Sequence, residues 1–261
     1  MFESIVATLT AAGLVLASQT ALALPNHDVG REPPFARGRH LVAALAAGIA
    51  YVVTDLDFAK SALLEWFGGT WTTEAVTFVV AAQLLLVMVP VWLALAVCDT
   101  HSGVTLWPKS WKPLRDGYTL WLLAGIFVWM LSRGLSMPES ERAALAEDYY
   151  RIMFSSEGLD WAWYLTYMTT GALAEELLFR VLLQRGLEGY MPKHAAVLVQ
   201  AILWVLMHAF LYGYGLSLHH VIGGVVLGLV FMRTRSLMAP LLCHLLINIT
   251  LAAVLVRGIG A

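Results

Sequence analysis

Five polar side chains interrupt apolar runs late in the chain, and their spacing is that of helix faces. Glu175 and Glu176 stand side by side, His208 lies in a second run, and His244 and Asn248 share a third. An ionisable group inside a membrane span costs several kcal/mol unless it is paired or hydrated, so each such residue is a candidate for function. Glu176 and Arg180 are one helical turn apart and can form an ion pair on one face. Glu175 is rotated from Glu176 by about 100° and can point elsewhere. His244 and Asn248 repeat the one-turn spacing, as do Trp204 and His208. The chemistry that fits is water activation. A shielded carboxylate can take a proton from water near neutral pH. A neutral imidazole can hold that water or bind a metal. A second imidazole with a carboxamide can donate to the oxyanion of a tetrahedral intermediate.

Each residue also has a structural reading. Glu176 with Arg180 is a common ion pair at a helix end, and a single His208 is a common partner between helices. His244 with Asn248 could likewise join two helices. Three separate runs each carrying such a group shift the balance, because lipid penalises each one independently. His219 and His220 fall in a polar hairpin between runs and receive no role. His27, His40, His101 and His194 fall in loops or at run ends, where an ordinary polar role suffices.

The elements that position these groups must be membrane helices. Of 261 residues, 59% are hydrophobic and 13% charged, and the mean hydropathy is +0.73. A soluble domain has about twice that share of charge. A net charge of −2 offers no basic field for nucleic acid. Cys98 and Cys243 lie in apolar runs and suggest neither a disulfide framework nor a zinc ribbon. Apolar runs at Ile5–Leu24, Leu41–Thr54, Ala75–Cys98, Tyr118–Leu131, Trp161–Phe179, His194–Tyr212, Leu218–Met232 and Leu237–Val256 predict an all-α polytopic bundle of about eight helices. The first run resembles a secretory signal, but its acidic start favours a retained helix. Pro138–Asp160 reads as an amphipathic segment at the interface. Eleven Lys and Arg fall after odd-numbered runs and five on the other side, which places the basic loops in the cytoplasm.

At Glu175-Glu176-x-x-x-Arg180, Trp204-x-x-x-His208 and His244-x-x-x-Asn248 the chain resembles the CPBP family, the CAAX-prenyl-protease-like (Rce1-type) intramembrane proteases and their bacteriocin-processing relatives. The likeness covers roughly residues 160–250, including the Gly-rich stretch from Gly223 through Gly228 to Leu237. Trp204 stands where the family's motif usually has Phe. The resemblance implies two parts of one membrane domain, an N-terminal set of helices over 1–160 and a catalytic helix core over 161–256. It implies an integral membrane endopeptidase, in a bacterial inner membrane, acting on a membrane-embedded or membrane-anchored peptide. Glu175 would be the general base, His208 would position water, and His244 and Asn248 would stabilise the oxyanion. Glu176, Arg180 and Trp204 would support them. The mechanism would need no cofactor if glutamate-based; if it used zinc, Glu175, His208 and His244 would be the ligands. The peptide could be a prenylated CAAX end, a sorting tail, a leader or a signal peptide.

Three other classes compete. A proton-coupled transporter would spread its ionisable groups over early and late runs, and the early runs hold almost none. A non-catalytic relative, serving immunity or binding, would be expected to have lost at least one motif. Gly215-Leu216-Ser217-Leu218 loosely matches a serine intramembrane protease turn. A conflict of depth also stands out. Glu175 and His244 fall near the cytoplasmic ends of their runs, whereas His208 lies about 21 Å into its own. The three converge only if the sixth run begins well inside the cytoplasm or tilts.

Overall fold

The computed structural model describes residues 34–55, 161–212 and 218–256, with isolated positions between 65 and 159. The described elements are helices, apart from one two-residue antiparallel pair. Helix α1 spans Pro34–Asp55. The strands β1 (Phe154–Ser155) and β2 (Gly158–Leu159) pair Phe154 with Leu159 and Ser155 with Gly158. Then follow α2 (Trp161–Glu176), a π-helical segment (Leu177–Gln184), α3 (Arg185–Leu187), α4 (Lys193–Tyr212), α5 (Leu218–Thr234) and α6 (Met238–Val256).

Of Pro138–Asp160, read as an amphipathic segment, only Phe154–Ser155 and Gly158–Leu159 are among the described residues. These are paired as strands and are not part of a helix. Of the predicted runs, five coincide with described helices. Ile5–Leu24 and Ala75–Cys98 lie outside the described residues, as does most of Tyr118–Leu131, so the count of eight rests partly on them. Ser217 lies outside as well.

The apolar run read from the sequence ends at Phe179, just before Arg180. The helix does not end there. Glu176, Gln184 and Arg185 all have right-handed helical backbone, so α2, the π segment and α3 form one continuous rod through Leu187. The wider turn is closed by the Arg185 N–H, which donates to the carbonyl of Arg180. Arg180, Gln184 and Arg185 are buried along this rod. Each has a polar neighbour: Nε of Arg180 lies 3.1 Å from Glu176, Arg185 lies near Glu188, and the Gln184 amide donates to the Gly228 carbonyl at 3.0 Å. Paired polar groups can continue a buried helix where an unpaired charge would end it. Arg180 and Arg185 are therefore not loop charges, and the basic bias becomes nine against five. The same extension removes the conflict of depth. Glu175 sits mid-rod; the chain descends to Leu187, turns, and climbs α4 by a similar distance to His208.

The π segment is buried on nearly every side, as a central helix must be. It packs against α1, α2, α4 and α5, while α4 and α5 form the most extensive helix pair. Two glycines make that pair close. A Cβ at Gly224 would stand 2.9 Å from Cε3 of Trp204, and one at Gly228 would stand 2.5 Å from Nε2 of Gln200. Gln200 in turn donates to the Gly224 carbonyl at 2.9 Å. Small residues one turn apart let membrane helices approach, and polar side chains then join them. After α5 the chain turns at Arg235, in left-handed conformation with φ 51, whose guanidinium pairs with Glu188 beyond α3.

The outward faces are apolar. Val42, Leu45 and Ile49 on α1, Leu198, Ile202 and Phe210 on α4, and Leu242, Leu246 and Ile249 on α6 are exposed. Such continuous apolar faces are costly in water and at ease in lipid. Lys193–Leu211 is long and apolar enough to cross a membrane, and His40–Ile49, His220–Thr234 and Met238–Leu251 are shorter apolar helices.

Gly228→Ala tests the packing. The added methyl overlaps Gln200, Val197 and Gln184. A detergent melting curve is expected to show a loss of about 1–3 kcal/mol, the usual cost of overpacking.

Candidate active site

The rod aims its two adjacent glutamates in different directions. Glu176 is fully buried. Its Oε2 lies 3.1 Å from Nε of Arg180, and its Oε1 lies 2.8 Å from Nδ1 of His244 on α6. A carboxylate only accepts, so Nδ1 carries the proton in that bond. The Nη groups of Arg180 have no acceptor among the described residues, but its guanidinium lies over the Trp204 ring, 5.2 Å from the centroid. Glu176 thus ties the rod to itself and to α6.

Glu175 turns toward α1 and α4. Its Oε1 accepts from the Tyr51 hydroxyl at 3.2 Å, and its Oε2 accepts from the Trp204 indole N–H at 2.6 Å. Nε2 of His208 lies 3.8 Å from the same Oε2. The other ring nitrogen, Nδ1, is 2.9 Å from the Trp204 carbonyl one turn earlier. A carbonyl only accepts, so Nδ1 is the donor, and a neutral His208 presents the lone pair of Nε2 to Glu175.

Trp204 is the hub. Its ring meets His208 edge-on at 4.6 Å, His220 at 5.6 Å and His244 at 5.8 Å. The His220 ring lies against His208, with centroids 4.5 Å apart and planes tilted by 35°. The structure therefore brings together Glu175, Glu176, Arg180, Trp204, His208 and His244. Asn248 follows His244 by one turn on α6 and is half-buried, so the two share a helix face.

Two neighbours of the site escaped the sequence reading. His220, assigned to a polar hairpin, is buried within α5. Its signal was present: His220, Gly224 and Gly228 recur every four residues and form the face that packs on α4. Tyr51 comes from a distant helix, and no local pattern announces its hydroxyl. His40, read as an ordinary polar residue at a run end, is buried on α1.

Among the described residues, no three His, Cys, Asp or Glu side chains stand where they could hold a metal ion. Glu175 is engaged by Trp204, and the Nδ1 of His244 by Glu176. Glu175, His208 and His244 are not grouped as a set of three metal ligands among the described residues.

Residues 157–250 match the family model described as type II CAAX prenyl endopeptidase, Rce1-like. The stretch contains all three motifs and agrees with the resemblance read from them. No curated protein and no solved structure matches the chain.

The geometry separates the two glutamates. Glu176→Gln strands the Arg180 charge and weakens the hold on His244. Breaking a buried pair costs about 3–5 kcal/mol, so the melting curve should fall accordingly. Adding Arg180→Gln removes the stranded charge and should restore part of the loss.

Proposed function

We propose that this chain, Rce1-like over residues 157–250, is an intramembrane endopeptidase that cleaves a peptide bond with water activated by Glu175 and His208. The observation that carries the proposal is the 3.8 Å between Glu175 Oε2 and His208 Nε2. With Nδ1 donating to a carbonyl, a neutral His208 and an ionised Glu175 face each other as two acceptors. A water donates to both, one hydrogen to each, and its oxygen lone pair is left toward a substrate carbonyl. Glu175 takes one proton as that oxygen attacks. It then returns the proton to the amine nitrogen as the C–N bond breaks.

The remaining groups support the developing charge. His244 gives its Nδ1–H to Glu176, so Nε2 donates to an oxyanion when the ring is an imidazolium, whose charge Glu176 balances. Asn248, one turn on, supplies an amide donor beside it. Buried donors of this kind are effective because water does not compete with them.

The family is named for prenylated CAAX ends. For this chain the substrate class is a peptide held in the bilayer by an apolar tail or lipid, which reaches the site from the membrane. The chain is multi-pass in a bacterial inner membrane, with the connection 188–192 facing the cytoplasm.

The test uses full-length protein in proteoliposomes and two fluorogenic peptides: a farnesylated CAAX peptide and a peptide bearing an apolar C-terminal sorting-type tail. Mass spectrometry locates any cut. Glu175→Gln should lower the rate by about 10²–10⁴ while the melting temperature holds. Normal cleavage by Glu175→Gln excludes the glutamate base. No cleavage of either peptide by the unaltered protein argues for the non-catalytic reading. Chelator treatment, expected to leave the rate unchanged, tests for a metal. A reporter fused after Gly189 should read cytoplasmic; an external reading reverses the topology.

A further inference from the structure

We infer that Tyr51 and Trp204 are positioning residues that hold the Glu175 carboxylate by one donor on each oxygen, and that α1 is built into the reaction centre to supply one of them. The inference rests on the reading of Glu175 as base. It goes beyond it, because Tyr51 lies outside residues 157–250 and Trp204 replaces a Phe that has no donor.

The register of α1 against the central rod explains how a residue so distant in sequence reaches Glu175. Three approaches mark it. The Cβ of His40 stands 3.2 Å from where a Cβ of Gly186 would be; Gly48 faces Leu178; the Tyr51 hydroxyl reaches Glu175. Eleven residues separate His40 from Tyr51, and eleven separate Gly186 from Glu175. The intermediate pair falls on the same antiparallel register. Two helices running side by side thus meet at Gly186, where the missing side chain admits Leu41 and His40. They meet again about 16 Å away at the carboxylate. Tyr51 is buried at 2% exposure, and Glu175 is buried as well.

The chemical need is specific. The terminal torsion of glutamate is broad, so a free carboxylate plane turns readily. Each oxygen has two lone-pair sites. Tyr51 occupies one on Oε1 and Trp204 one on Oε2. The plane is then fixed, and a lone pair of Oε2 remains on the side of His208. Trp204 does this with the residue whose carbonyl also sets the tautomer of His208. One side chain and its own backbone therefore orient both partners of the attacking water.

The test compares Tyr51→Phe, Trp204→Phe, the double variant and Glu175→Gln in proteoliposomes with the two peptides above. Tyr51→Phe and Trp204→Phe keep an aromatic ring and remove the donor. Each should lower kcat about tenfold, the scale of a lost bond to a charged group, at a KM within about twofold of the original. The melting temperature should be held by Tyr51→Phe, which keeps the ring intact. A purely structural role would leave kcat unchanged in the folded protein. Infrared difference spectra supply a reading that needs no substrate. The band lost in Glu175→Gln identifies the Glu175 carboxyl group, and that band should move in both single variants. Unchanged kcat in both, with Glu175→Gln inactive, overturns the inference and leaves the base intact. Normal activity of Glu175→Gln overturns the base instead, and the infrared band then decides the clamp alone. An unmoved band in Tyr51→Phe and Trp204→Phe overturns it.

Discussion

The contact between Glu176 and Arg180 governs the rest of the site, because it decides how the central rod is turned. Both side chains are fully removed from solvent. Such a pair adds little net stability, since the cost of desolvating two charges roughly offsets their attraction. Its value is orientation. With Glu176 committed to Arg180 and, through Oε1, to His244, the preceding residue must emerge about 100° round the helix. That direction is occupied by α1 and α4. The π-helical turn begins directly after Glu176 and contains Arg180, so the arginine lies in the widened part of the helix. Wide turns of this kind recur at functional sites. Here it accommodates a guanidinium that stacks on Trp204 instead of crossing to lipid.

Charge placement alone would leave the imidazoles loose. The second constraint is steric, and it comes from missing atoms. Gly224 and Gly228 bring α5 onto α4, with Gly224 against the indole of Trp204. His220 lies one turn before Gly224, so the same close approach lays its ring on His208. The indole is consequently held from several sides: by Gly224, by the rings of His208 and His220, and by its bond to Glu175. A side chain so confined keeps a single rotamer, which a catalytic constellation requires. Inside, the polar cluster is set among buried apolar side chains such as Leu178, Leu182, Leu227, Phe231 and Leu241, while the outward faces carry further apolar residues.

Much of this was legible in the sequence. The motif residues announced themselves because lipid makes isolated polar groups conspicuous, and the one-turn spacings correctly paired Glu176 with Arg180 and Trp204 with His208. The helix boundary at Phe179 was misread for the same reason. A reading by apolar runs has no knowledge of the neighbours that let polar side chains continue a buried helix, and Arg180, Gln184 and Arg185 each have one. The misplaced boundary created the conflict of depth that the continuous rod removes. His220 was discounted for its neighbours His219 and Ser217, though its four-residue register with two glycines pointed inward. Tyr51 was not legible. Its role depends on the pairing of helices more than a hundred residues apart, and no local periodicity encodes that.

The contribution of α1 extends the site beyond the three motifs. Residues 157–250 carry the three motifs, but the carboxylate at their centre is completed by a hydroxyl from residue 51. The register between α1 and the rod transmits position along two rigid helices, so the fit of His40 and Leu41 against Gly186 bears on the geometry at Glu175. Loops do not intervene at either end of that path. A shift of one residue along the pair would rotate Tyr51 by about 100° and take the donor away from the carboxylate. The absent side chain at Gly186 therefore bears on the site as well as on the packing: it lets α1 approach closely enough, in a single register, for Tyr51 to reach the Glu175 carboxylate on another helix.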